Sequence, residues 1–402
     1  MKLPRSGGEL TKVLVLGGAG PFGKGVAQAL AKSDRISELR IAGRRLGSTE
    51  AAAKEIGPKG TALALDATDT TALTSALKGT ELLVNVAGPE WVTVLPALRA
   101  AIQAGVHYAD IAADGPTAEQ AFGMNRAAKN AGVAAITGIG SCPGITNLLM
   151  VHAGRQFDEI TEVTCYEYFP VHEGAWLDSM RISKEIQETG RVDGSLQMMV
   201  RWAGGPARSF EGGRWVDLDP MSTQWPATLS GGGEIRVHPC CGIETLTVPQ
   251  ALPGATTVRV ASCLFPPSVD RLYLEAGRRM ATGRVDPANV TREFFEAATR
   301  EAPKWPPWAS QYPRNVEVWV EASGLKTGRP GRVRISPADA LLSAQGALAV
   351  ASLRILDGRC ERRGVFTVEA CFEPMPFFEE VARFRGEFPS DGRLLDTRWE
   401  WG

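Results

Sequence analysis

The chain has 402 residues, 44 Lys and Arg against 45 Asp and Glu for a formal net charge of −1, and 44% hydrophobic residues. That balance excludes a global field drawing it to nucleic acid or an anionic membrane, and its length fits about two or three domains, so a small molecule is the expected partner. No apolar run reaches the ~18 residues of a spanning helix. The start Met1-Lys-Leu-Pro-Arg5 lacks the apolar core of a signal peptide, which gives a soluble, cytoplasmic expectation with no membrane partner. The seven cysteines are odd in number, scattered and without a C-x-x-C pair, so they read as small buried hydrophobes rather than a disulfide framework. His107, His152, His172 and His238 show no ligand spacing, and no metal is expected.

In chain order, Val13-Leu-Val-Leu16 is an apolar strand that breaks into Gly17-Gly-Ala-Gly-Pro-Phe-Gly23 and then a helix from Lys24 to Lys32. Gly18, Gly20 and Gly23 fit G-x-G-x-x-G, in which the first glycine permits a tight turn, the second a close approach to a pyrophosphate and the third close helix–strand packing. Pro21 and Phe22 lie inside this turn, at a helix N-terminus whose N–H groups suit an anion. The second strand, Leu39 to Gly43, ends at Arg44-Arg45, where an NAD site normally carries an acid for the ribose 2′-hydroxyl. The next acid is Glu50. Two guanidiniums favour a 2′-phosphate, hence NADP(H) over NAD.

Thr61 to Leu65 is a third strand ending at Asp66, Leu82 to Val86 a fourth, His107 to Ile111 a fifth and Val133 to Thr137 a sixth. Helices intervene, one of them from Val94 to Ala104. The alternation predicts a doubly wound parallel sheet of Rossmann type, with ligands outside the carboxyl ends of the strands. Asp66, Asn85, Gly88, Asp110 and the loop from Gly138 to Asn147 then face one crevice. Beyond residue 160 the pattern changes to strands at Glu162 to Phe169, Glu234 to Val237, Thr256 to Cys263 and Val316 to Glu321, with helices at Ser179 to Glu188 and Asn289 to Glu301. This predicts an inserted α+β domain of mostly antiparallel sheet. Pro337 to Leu356 reads as one buried helix returning to the first domain. The boundaries are 1–150, 151–335 and 336–402.

The run Gly17 to Gly23, Asn85-Val-Ala-Gly-Pro89, Ala104-Gly-Val-His-Tyr-Ala-Asp110, Gly140-Ser-Cys-Pro-Gly-Ile-Thr-Asn147 and Gly364 to Phe378 together resemble the saccharopine dehydrogenase/saccharopine reductase-like superfamily. Asp178-Ser-Met-Arg-Ile182, Gly213-Arg-Trp-Val216 and Pro239-Cys-Cys-Gly-Ile-Glu244 fall in the expected order between them. The resemblance implies hydride transfer between a nicotinamide and a carbon bonded to nitrogen, as in reductive amination through an imine, by a homodimer whose second domain serves substrate binding and dimerisation. It implies cofactor contacts from Asn85, Ala87, Gly88 and Pro89 at the nicotinamide ribose and from Asp66 near the adenine. Asp110 and the Gly138 to Asn147 loop would border the reacting carbon, and a cleft between the domains would hold the substrate.

Other chemistries compete for the same residues. A short-chain dehydrogenase needs Lys four residues after its catalytic Tyr, and none of the five tyrosines has it. Cys142, read as standing at a helix N-terminus with His172 as base, opens an aldehyde dehydrogenase route. A homospermidine synthase-like amine transfer on held NAD and a non-catalytic NADP-binding redox sensor are the further alternatives. His107, Tyr108 and Asp110 are the candidates for proton movement on the hydride route, with a satisfied core histidine as the bland alternative for His107. For substrate, Glu167, Arg181 and Arg201 suit amine and carboxylate groups, and Trp176, Trp202, Trp215 and Trp225 suit an aromatic wall.

Overall fold

Apolar strands with no polar face need cover on both sides, and the chain provides it by returning through a helix after each one. The computed structural model describes residues 10–305, 307–386, 388–389 and 392–402. The N-terminal segment read for a targeting signal lies outside them. Two compact units are formed, one from residues up to Leu149 with Pro337–Leu395, the other from Met150–Ser336 with Asp396–Gly402.

The first unit begins β1 (Thr11–Leu16), α1 (Pro21–Ala31), β2 (Ile36–Gly43), α2 (Leu46–Ile56), β3 (Gly60–Ala64), α3 (Thr70–Ala76), β4 (Leu82–Asn85), α4 (Glu90–Ala104) and β5 (His107–Asp110). It continues with α5 (Gly115–Gly123), α6 (Asn125–Asn130), β6 (Ala134–Ile136) and α7 (Ile145–Gly154), inside which the unit boundary falls. The second unit runs β7 (Glu159–Pro170), α8 (Ser179–Thr189), α9 (Gly194–Trp202), β8 (Ala207–Glu211), β9 (Arg214–Leu218), β10 (Trp225–Thr228), β11 (Glu234–Pro239) and α10 (Glu244–Ala251). It then adds β12 (Thr257–Phe265), α11 (Pro267–Ala281), α12 (Pro287–Glu301), β13 (Glu317–Lys326) and β14 (Arg329–Pro337). The chain ends with α13 (Ala344–Leu356), β15 (Gly364–Phe366), α14 (Pro374–Arg385) and β16 (Leu395–Trp401).

Among the described residues the first sheet has seven strands in the order β15-β6-β5-β4-β1-β2-β3, and every adjacent pair is parallel. Chain order reverses between β1 and β4, the switch point at which such sheets bind nucleotides. Leu16 stands opposite both Ala42 and Asn85, and Asn85 opposite Asp110, so these four residues form one row at the carboxyl rim. The second unit's sheet follows the order β10-β11-β12-β7-β13-β14-β16, with β8 and β9 attached to β12. The β7–β12 pair is parallel, and the β10–β11, β11–β12, β8–β12, β8–β9, β7–β13 and β13–β14 pairs are antiparallel. The Rossmann sheet with a mostly antiparallel second sheet is the fold class expected from the sequence.

Two expectations are corrected in the C-terminal part. Pro337 to Leu356 is not one helix: Pro337 closes β14, Asp339–Leu341 is a single 3-10 turn, and the Ser343 hydroxyl oxygen accepts the Gly346 N–H at 3.1 Å to start α13. A polar cap outweighs the apolar continuity of the sequence there. From Ala344 onward the helix is buried nearly all round and packs on α1 and α14 within the first unit. The tail is the second correction, since Asp396–Gly402 belongs to the second unit, where β16 extends the sheet beside β14. Cys360 and Cys371 form a disulfide with Cα atoms 5.6 Å apart, against the reading of all seven cysteines as isolated buried thiols.

Candidate active site at the carboxyl rim of the parallel sheet

The glycine turn is wound one residue earlier than the motif suggests. Gly17, at φ +84°, takes the conformation that favours glycine, and a Cβ on it would lie 2.6 Å from the Ala87 nitrogen. The turn after β1 therefore touches the turn after β4. Gly23 has its expected role, since a Cβ there would stand 2.3 Å from the Gly17 carbonyl oxygen. Gly20 is the N-cap of α1, no side chain caps that end, and Pro21 occupies the first turn, where its missing N–H costs nothing. The bare N-terminus of α1 next to Gly18 and Gly20 is the geometry that receives a pyrophosphate.

At the end of β2, Arg44 and Arg45 are both exposed, and Arg45 is the N-cap of α2. Asp66, just beyond β3, is held below its usual carboxyl range by the Thr68 backbone N–H, then the Thr68 hydroxyl, with the charge of Arg44 contributing. The structure thus brings Arg44 and Asp66 together beside the same end of the sheet. On the other side of the switch point Asn85 is buried; its Oδ1 accepts the Ala87 N–H at 3.1 Å and its Nδ2 donates to the Tyr108 hydroxyl at 3.1 Å. Gly88 and Pro89 follow, and Pro89 caps α4.

Asp110 is 1% exposed, and its Oδ1 accepts the Ala112 N–H (3.0 Å), the Thr137 hydroxyl (2.9 Å) and the Gly138 N–H (2.9 Å). Burial raises its carboxyl against these donors. The side chain ties the loop after β6 to β5, which makes Asp110 an organiser of the rim. That loop is wound tightly: a Cβ on Gly144, at φ +115°, would lie 2.5 Å from both the N and O of Gly140. Asn147 Oδ1 accepts the Gly144 N–H at 2.9 Å, and its Nδ2 donates to Glu369 Oε1 at 3.1 Å. Sequence reasoning passes over Glu369, because its partner lies 222 positions away.

Other expected site residues fall elsewhere. His107 begins β5, level with Leu82 and therefore at the amino end, roughly 10 Å from Asp110 at the usual strand rise. Its Nδ1 accepts the Ala134 N–H at 3.2 Å, and burial, aided by Arg363, lowers its pKa. This corrects the proton-donor reading: a four-residue strand places its first and last residues at opposite rims. Cys142 lies in the loop and not on α7, and the first N–H groups of α7, those of Ile145 and Thr146, donate to the carbonyls of Gly140 and Ser141. Those two N–H groups are thus engaged by loop carbonyls. The supposed base, His172, has its ring nitrogens 2.7 Å from the Glu173 carbonyl and 2.8 Å from that of Arg314.

In the second unit Glu167 is fully buried within β7, flanked by Ser262 of β12 and Val318 of β13. Trp176 is 54% exposed and packs against Phe169, and Arg181 donates to the Trp176 carbonyl at 3.1 Å and lies 3.6 Å from Glu185. Trp176 and Arg181 are thus neighbours at the start of α8, whereas Glu167 lies in the strand interior. Trp215 pairs with Phe210, and Trp225 lies under Arg259. Among the described residues no cluster of His, Cys, Asp and Glu could hold a metal ion, and no helix is long and apolar enough to cross a membrane.

Comparison with known proteins matches residues 13–136 to the family described as saccharopine dehydrogenase NADP binding domain. Carboxyaminopropylagmatine dehydrogenase of Synechocystis sp. is 24% identical over 420 residues, covering 95% of this chain and 100% of that protein. Apo saccharopine dehydrogenase (L-Glu forming) from Saccharomyces cerevisiae shares the fold at a TM-score of 0.60, with 15% identity, 97% of this chain and 100% of that chain covered.

Proposed function

We propose that the chain is an NAD(P)-dependent oxidoreductase of the saccharopine dehydrogenase-like superfamily, a reading supported by the NADP binding domain matched over residues 13–136, and that it transfers hydride between NADP(H) and a C=N carbon. The substrate class is a small secondary amine, or its imine, that joins an amine to an amino-acid-derived chain. The observation carrying this reading is the likeness along nearly the whole chain to a dehydrogenase named for a carboxyaminopropyl derivative of agmatine.

The residues present fit the dinucleotide. Gly18, Gly20, Phe22 and Gly23 at the uncapped end of α1 would take the pyrophosphate. Arg44 and Arg45 would take a 2′-phosphate, with Asp66 near the adenine. Asn85, Ala87, Gly88 and Pro89 would line the nicotinamide ribose. The paired guanidiniums favour NADP over NAD, and disfavour an amine transferase that retains NAD. When bound, the nicotinamide supplies or removes the hydride, and the protein's share is orientation and electrostatics. Asn85 fixes the Ala87 backbone, and Asp110 and Asn147 hold the Gly138 to Asn147 loop as one wall.

The test is NADPH oxidation across pairs of a primary amine and a carboxylate-bearing carbonyl compound. Turnover is expected only when both members are present. An enzyme that binds NADPH yet oxidises it with no pair would favour the redox-sensor reading instead.

A further inference from the structure

Glu90 opens α4 directly after Ala87-Gly88-Pro89, and its carboxylate reaches across to the connection between β5 and α5. Its Oε1 accepts the N–H of Ala113 at 2.9 Å and that of Asp114 at 2.5 Å, and its Oε2 accepts Ala113 at 3.0 Å. Asp114 in turn caps α5, its Oδ2 accepting the Thr117 N–H at 3.1 Å and the Thr117 hydroxyl at 2.5 Å. The same connection starts at Asp110, which holds the loop after β6. Two strand-end loops and a helix start are thereby linked through side-chain carboxylates.

We infer that Glu90 is a positioning residue for the nicotinamide end of the cofactor site, clamping Ala113 and Asp114 onto the first turn of α4 and so holding Pro89 and the Gly138 loop in one frame. The inference rests on the reading above that Asn85 to Pro89 line the nicotinamide ribose.

The electrostatics suit a clamp that carries a proton. Loss of water around the carboxyl, then the charges of Asp114 and Asp110, push Glu90 up to about 8 against the pull of the two N–H donors. The groups acting on it are Asp110 and Tyr108 from β5 and Asp114 from the start of α5. A protonated Glu90 keeps a carbonyl oxygen for the N–H groups and spares the rim a third negative charge. Because the folded value lies above the ordinary 4.5, the stability Glu90 contributes is complete below that pH and drains away as pH rises through about 8.

Glu90→Gln keeps the accepting oxygen and removes the titration, whereas Glu90→Ala removes both. In the full-length protein, Glu90→Ala should speed amide hydrogen exchange at Ala113 and Asp114 and weaken NADPH binding by about tenfold each, the scale of leaving buried N–H groups without their acceptor. Glu90→Gln should stay within about threefold of wild type in both at pH 7. The melting temperature without cofactor should fall between about pH 4.5 and 8 in wild type and fall less in Glu90→Gln. Unchanged exchange in Glu90→Ala, a Gln variant as loose as the Ala variant, or an undiminished pH slope in Glu90→Gln each overturns the clamp. If wild type binds no nicotinamide dinucleotide, the functional reading fails, while exchange and melting still decide the role of Glu90.

Discussion

At the scale of single residues, the cofactor choice turns on Arg44. Its side chain is exposed and attracts Asp66 through solvent, so a 2′-phosphate would meet a guanidinium that has little desolvation cost to offset. Arg44→Ala should remove a charge-assisted contact of ~1.5 to 3 kcal/mol, roughly tenfold to hundredfold in NADPH affinity, and leave NADH affinity nearly unchanged. Fluorescence titration with both cofactors measures this, and equal losses would contradict a phosphate clamp. Cys142 carries the opposite expectation. With the first N–H groups of α7 bound to loop carbonyls, Cys142→Ser should retain measurable NADPH oxidation. Complete loss with NADPH binding intact would restore the thiol mechanism. His107 shows where a residue type misleads: a histidine three positions before Asp110 looks catalytic in a line of text, but strand direction puts it at the other rim.

At the scale of elements, β15 and the residues after it are held from several sides. The strand adds to the sheet edge beside β6, Glu369 bonds Asn147, and the Cys360–Cys371 bridge closes the segment that contains both. A sequence separation of 11 gives a loop whose closure restricts the unfolded chain by about 2 to 3 kcal/mol. Replacing both cysteines by Ser should lower unfolding free energy by about that amount in urea titration and loosen the β15 segment in hydrogen exchange. A double variant as stable as wild type under oxidising conditions would show that the bridge contributes nothing. Neither β15 nor its bridge is legible locally, since a three-residue strand has no periodicity to read and cysteine pairing is a matter of distance in space.

At the scale of the whole molecule, the resemblance carries one further expectation, a second copy of the chain. In the second unit one cluster of buried residues joins the sheet to α8, α9, α11 and α12. Another, containing Tyr166, Tyr168, Val237 and Trp319, draws on strands and loops alone. The guanidinium of Arg334 lies 4.3 Å over Trp319, and that of Arg259 lies 5.1 Å over Trp225. Arginine side chains thus lie over two tryptophans of this sheet. Sedimentation equilibrium should give twice the chain mass at micromolar concentration, and a monomer there would remove the dimer from the functional reading.

What the sequence by itself determined was everything written in local periodicity and glycine spacing. β1 to β6, the helix after the glycine turn, the switch from parallel to mostly antiparallel sheet and the basic end of β2 follow from neighbours a few positions apart. The tertiary structure decided what depends on distant partners. It placed Gly17 against Ala87, Glu90 on Ala113 and Asp114, Asn147 on Glu369, and β16 in the second sheet. Hydrogen bonds and close approaches of that kind are set by how layers stack, and no pattern within one segment records them.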